Sequence, residues 1–139
     1  MVRETRILTV VAFSGELAAM TKTFHHIGMP TDEKQPGESY VEETKVWVTR
    51  PENHPYRVEF LRFEADSPVT GPIRDLPHVA FRLDGDDADI HAALEGEDVI
   101  MEPFTAMDGL QVAFFMKDGA VFEYMQFREG AAEFSDLDE

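Results

Sequence analysis

Phe24-His25-His26-Ile27-Gly28-Met29, followed later by Val58-Glu59-Phe60-Leu61-Arg62-Phe63, decides the fold, because the chain writes the same pattern twice. The second copy reads Pro77-His78-Val79-Ala80-Phe81 and then Phe122-Glu123-Tyr124-Met125-Gln126-Phe127. Each copy pairs a histidine with a later glutamate inside a strand-like frame. Side chains alternate faces along an extended strand, so His26 shares a face with Gly28, and His78 with Ala80. A very small residue therefore stands beside each histidine, leaving space for an ion and its ligand where a larger side chain would fill it. The two halves read as an internal duplication that carries metal-binding donor types.

Outward from these segments, the first half is mostly strands. Pro30 closes the strand that ends at Met29, and the polar, turn-rich Thr31 to Glu38 reads as a loop. Tyr40 to Glu43 and Lys45 to Thr49 are one bent strand or two short ones, with Val46 and Val48 alternating with Lys45, Trp47 and Thr49. A turn at Pro51 to Pro55 leads into Tyr56 to Glu64, where Arg57, Leu61 and Phe63 are expected on the face of Glu59. In the second half, His78 to Leu83 is a strand. Asp84 or Asp86 can cap a helix that carries Ile90, Ala93 and Leu94 and ends at Gly96. A strand at Val99 to Glu102 follows, then a hairpin of Gln111 to Met116 and Ala120 to Phe127 around Lys117-Asp118-Gly119. The order of this half is β-α-β-β-β.

The segments divide the chain into an extension at 1–21, a first module at 22–66, a proline-containing linker at 67–76, a second module at 77–127 and an acidic tail at 128–139. The N-terminus has two readings. In one, Arg6 to Phe13 is a strand and Glu16 to His26 a helix, which would take His25 and His26 out of any sheet. In the other, the first repeat begins at Lys22, and the match of the His26 segment to the His78 segment favours it; Met20 could then be an original start of translation.

Composition bounds the function. With 139 residues, 43% of them hydrophobic, and 15 aromatics, the chain can bury one proper core. Its 28 acidic against 12 basic residues give a formal charge of −16, which argues against nucleic acid or an anionic membrane surface as a partner. Having no cysteine, it has no disulfide, no thiolate site and no cysteine nucleophile, so any metal must be held by nitrogen and oxygen. No apolar run approaches the ~18 residues of a membrane span. Arg3 and Arg6 precede a short apolar run, but Glu4 and Glu16 spoil a signal peptide, and a cytoplasmic protein is expected.

The repeated motifs, together with Val112 to Glu123 and the Glu64-Ala65-Asp66-Ser67-Pro68 that follows the first glutamate strand, resemble the vicinal oxygen chelate superfamily over about residues 22 to 127. That superfamily includes glyoxalase I, methylmalonyl-CoA epimerase, extradiol dioxygenases and the fosfomycin- and bleomycin-resistance proteins. The resemblance implies an α+β fold in which duplicated βαβββ modules form a cupped mixed sheet. Thr31 to Glu38 is short for the first module's helix, so that helix is expected to be reduced or missing.

Carried over by position, the four ligand places of the superfamily fall on His26, Glu59, His78 and Glu123, the donor set of the glyoxalase I type. The resemblance implies a divalent ion in the cup, with zinc, nickel, cobalt, manganese and iron all suited to two imidazoles and two carboxylates. It further implies a metal-dependent lyase or isomerase that takes a proton from beside a carbonyl or thioester of a small substrate, with Glu123, or else Glu59, as the base. A non-catalytic binding protein of the bleomycin-resistance kind is the alternative, and a homodimer is expected in either case. Arg57 and Arg82 are candidates to hold an anionic substrate, and Trp47 and Phe115 to line the pocket. His25 is expected to face away from His26, His54 to sit in a turn and His91 on a polar helical face.

Overall fold

Strand β1 (Thr21–Pro30) holds both histidines of the first copy, so the reading that made Glu16 to His26 helical is overturned for residues 21–26. β-branched and aromatic residues at Thr21, Thr23, Phe24 and Ile27 suit a pleated surface better than a helix. The computed structural model describes residues 20–85 and 88–128. The proposed strand Arg6 to Phe13, the candidate cap Asp86 and the acidic tail from residue 129 lie outside the described residues.

The first half continues through β2 (Ser39–Val41), β3 (Val46–Val48) and β4 (Val58–Phe63). A short helix α1 (Pro72–Asp75) follows, then β5 (His78–Asp84), α2 (Ile90–Ala93), β6 (Asp98–Met107), β7 (Leu110–Lys117) and β8 (Ala120–Phe127). The eight strands form one mixed sheet in the order β2-β3-β4-β1-β5-β8-β7-β6. The two halves repeat one pattern. In each, the first strand pairs in parallel with the last, β1 with β4 and β5 with β8, and the remaining strands add antiparallel. The halves meet at the antiparallel β1–β5 pair. This is the α+β, duplicated, cupped architecture that the resemblance implied.

The sheet curls, because β2 and β6, its two edges, contribute side chains to one cavity: Val41 from the former and Met101, Phe104, Ala106 and Met107 from the latter. Register shifts at three places let β6 bend, and its run past Pro103 to Met107 is possible because an edge strand has one side where no amide need donate. Residues 67–76 are more than a connection. Val69 and Ile73, 3% and 5% exposed, drop into the cup and pack with Val112, Phe114, Val121 and Met125.

The outer face is covered differently in the two halves. In the second, Ile90 of α2 and Leu94, its C-cap, lie on Leu83, Phe115 and Tyr124. The helix is a single turn capped by Asp89, whose carboxylate accepts from the His91 amide at 3.1 Å, whereas the expected cap Asp84 ends β5 paired with Arg82 at 2.8 Å. Gln126 ties the start of α2 to β8, accepting from the Ile90 amide at 2.8 Å and donating to the Ala88 carbonyl at 2.7 Å.

In the first half no helix lies between β1 and β2. Its place on the sheet is taken by Trp47, with the Arg62 guanidinium 5.5 Å from its ring, the Tyr40 ring at 4.9 Å and an indole N–H donated to Glu64 at 2.5 Å. Glu38 grips Arg62 through bonds of 2.9 and 2.7 Å. Such a cationic, aromatic cover can meet water, which a bare apolar sheet face could not. Among the described residues, no helix is long and apolar enough to cross a membrane.

Candidate metal centre

Strand register builds the site. Gly28 lies opposite Glu59 across β1–β4, and Ala80 opposite Glu123 across β5–β8; over the junction, Gly28 faces His78 and His26 faces Ala80. His26, Glu59, His78 and Glu123 are thereby brought together on the four central strands, and all four are buried. His26 Nε2 stands 3.0 Å from Glu59 Oε1 and 3.3 Å from Glu123 Oε1, and His78 Nε2 stands 3.0 Å from Glu123 Oε1.

These separations fall in the range of ion pairs, yet Nε2 of His26 and both ring nitrogens of His78 make no hydrogen bond. The atoms converge instead of aiming an N–H at an oxygen. A buried polar nitrogen left so costs roughly 1–3 kcal/mol unless something else meets its lone pair. Adjacent ligands on an octahedral ion with bonds of about 2.1 Å are themselves about 3.0 Å apart, which is the spacing found. The ligand atoms of His26, His78 and Glu123 all lie within 4.8 Å of one another, so these three could hold a metal ion. Glu59 joins them from the His26 side.

Gly28 is needed where the repeat put it. A Cβ on Gly28 would run into the imidazole of His78, and that ring is held edge-on against Phe114 at 5.3 Å. The glycine serves space here.

His25 corrects an expectation. It does not face away from its neighbour: the register shifts between Phe24 and His26, and the bulge brings His25 inward, 4% exposed, with its Nδ1 2.8 Å from Nδ1 of His26. Burial, assisted by the charges of His26 and Arg57, holds its pKa down to about 4, so it is neutral and can accept. With His26 Nδ1 committed to that bond, Nε2 is the nitrogen left for the cluster. Burial alone would discharge His26, but the Glu59 and Glu123 carboxylates outweigh it and hold the pKa of the ion-free imidazole up to about 10. Burial likewise opposes the charge of Glu123, but the imidazoles of His26 and His78 close beside it take its pKa down to about 2. The two carboxylates need positive charge between them, and a divalent cation supplies the same compensation as a proton.

The residues expected to meet a substrate lie elsewhere. Arg57 precedes β4 at φ 57°, off the Glu59 strand face, and donates from Nε to the His25 carbonyl at 2.5 Å. Arg82 does share the His78 side of β5, but its guanidinium sits 4.7 Å over Phe127 and pairs with Asp84. Trp47 is on the outer face, and Phe115 packs beneath α2 with Leu83 and Tyr124. Phe114 lines the cavity in place of Phe115. Sequence held the signal for this: a two-residue turn at Asp118-Gly119 fixes Lys117 opposite Ala120, and counting back places Phe114 opposite Glu123. The cavity itself is about 70 Å³, with Glu59, His78 and Glu123 at its floor and apolar walls.

Fold and site together define a protein with a glyoxalase-like cup and a His/Glu cluster able to hold a metal. Its fold is similar to that of the hypothetical protein BH1468 from Bacillus halodurans C-125, with a TM-score of 0.58 and 20% identity over 81% of this chain and 99% of that one. A mutant of 4-hydroxymandelate synthase from Streptomyces coelicolor aligns with a TM-score of 0.46 and 17% identity over 84% of this chain; the match spans about half, 51%, of that longer chain. No family model matches the sequence, and no curated protein does.

Proposed function

We propose that the chain is a metal-dependent lyase or isomerase of the glyoxalase or epimerase type, with His26, His78 and Glu123 holding a divalent ion and Glu59 as a fourth donor. The observation that carries this reading is the set of unpaired imidazole nitrogens facing two buried carboxylates at 3.0–3.3 Å. A bound divalent ion would polarise a substrate carbonyl and stabilise negative charge on its oxygen. The protein's part is to take and return a proton. A cavity-lining carboxylate accepts it from the carbon beside the carbonyl, the C–H electron pair stays in the substrate as an enolate, and the proton returns to the same or the neighbouring carbon. Glu59 touches one imidazole and Glu123 two, so Glu59 has the freer oxygen and Glu123 the firmer place in the cluster. Apolar walls keep water from the exposed carbanion.

The test starts with metal content of untagged protein, by mass spectrometry, after growth in zinc, nickel, cobalt, manganese and iron. One ion per chain, lost in both His78→Ala and Glu123→Ala, is expected. A protein that takes up none of these ions defeats the reading. Deuterium uptake next to the carbonyl of candidate ketones and thioesters in D2O, abolished in Glu59→Gln, then separates catalysis from mere sequestration.

A further inference from the structure

We infer that the cup selects an uncharged, apolar, short-chain substrate, one that carries no carboxylate or phosphate away from its reacting end. Where the reacting end lies rests on the metal-site reading; the selection for an apolar body does not.

The walls supply the first ground. Val46, Val48, Leu61, Met101, Phe104 and Val112 line the cavity, and no lysine or arginine of the described residues does. Arg57 and Arg82, the expected anion holders, are engaged with the His25 carbonyl and with Asp84. Arg62, on the same strand as Glu59, turns to the outer face and is gripped by Glu38 at 2.7 Å.

Charge accounting supplies the second. Two carboxylates and two neutral imidazoles sum to zero around a divalent ion, and passing a proton from substrate carbon to a glutamate keeps the sum at zero. An anionic substrate would leave one uncompensated negative charge in an apolar site throughout, which burial penalises heavily. On a chain of formal charge −16, the wider field repels anions as well.

Size is the third ground. At about 70 Å³ the cavity is well below the ~300–1,000 Å³ of typical ligand pockets, and Ile73 and Val69 of the linker segment line it and pack into the cup's apolar cluster. Those two side chains limit the length that enters.

The experiment uses butanohydroxamic acid and succinomonohydroxamic acid, which share a four-carbon chain and a chelating head that loses the same proton on binding an ion; they differ only in the tail, uncharged in the first and a carboxylate in the second. Binding is followed by calorimetry and by the 13C-methyl signals of Met101 and Met107, in ion-free and ion-loaded protein. At least a tenfold preference for the uncharged probe is expected. Met101→Lys should reverse it, and Thr44→Lys, on a partly exposed turn that also lines the cavity, serves if the first variant fails to fold. Ile73→Ala should admit octanohydroxamic acid, which the unaltered chain excludes. Equal or tighter binding of the charged probe to a protein that does bind the ion overturns this inference and leaves the metal reading standing. Preference for the uncharged probe in a protein that binds no ion does the reverse. Methyl signals unmoved by either probe overturn the inference outright.

Discussion

Two adjacent histidines on a strand are ordinarily divided between its faces, and β1 departs from that rule through one bulged residue. The consequence is a hydrogen-bonded imidazole pair in which His25 orients His26 without reaching the cluster itself. His25→Ala should therefore weaken metal binding by about 10–100-fold, the usual effect of losing a supporting partner. His25→Asn, whose amide oxygen can accept the same bond, should restore part of it, and isothermal titration would show both. Gly28→Ala makes a complementary test. Its added methyl must displace the His78 ring, so the variant should fold with a loss of about 1–3 kcal/mol and fail to retain the ion. Of the site, the convergence of His26, Glu59, His78 and Glu123 was legible in the sequence because the duplication printed its histidine and glutamate twice. His25 was not, since strict alternation hides a bulge, and Arg57 was misplaced because its positive φ takes it off the strand.

At the scale of elements, turn chemistry and repetition were the readable signals. Asp118-Gly119, at φ 55° and 82°, matches the two-residue hairpin turn, and the strands around it fell within a residue or so of their expected ends. Three features escaped. A run of aspartates hid which one caps α2, and the strand expected at Val99 to Glu102 continues past Pro103 to Met107 as a bulged edge. Prolines and polar residues in 67–76 masked Val69 and Ile73, two isolated apolar side chains whose burial depends on a cup that periodicity cannot show. The cap assignment has a direct check: Asp89→Ala should cost about 1 kcal/mol by calorimetry, while Asp84→Ala, which removes only a part-exposed ion pair, should cost about 0–1 kcal/mol.

For the whole molecule, the site predicts how stability follows pH. His26 is raised from 6.5 to about 10, so in ion-free protein its contribution is full below pH 6.5 and is lost as pH rises through 10. Glu123, lowered from 4.5 to about 2, contributes above pH 4.5 and loses its share as pH falls toward 2. His25, lowered from 6.5 to about 4, favours the folded state least in acid, so it erodes stability as pH drops from 6.5 to 4. Ion-free protein should thus melt highest near pH 6.5. Metal binding must expel the His26 proton, so the loaded form should gain on the ion-free form steadily from pH 6.5 toward 10. Thermal scans of chelator-treated and reloaded protein would show the two curves diverging with base; parallel curves would exclude His26 as a ligand.

The antiparallel β1–β5 pair is also a seam, because each side of it contributes one imidazole and one carboxylate to the same point. A cation there would act as a rivet between the twin halves, so that chelators would loosen the molecule along its midline before they loosened either half. Neither half holds the whole cluster, so a cation bound there would be kept only while the two stay fastened.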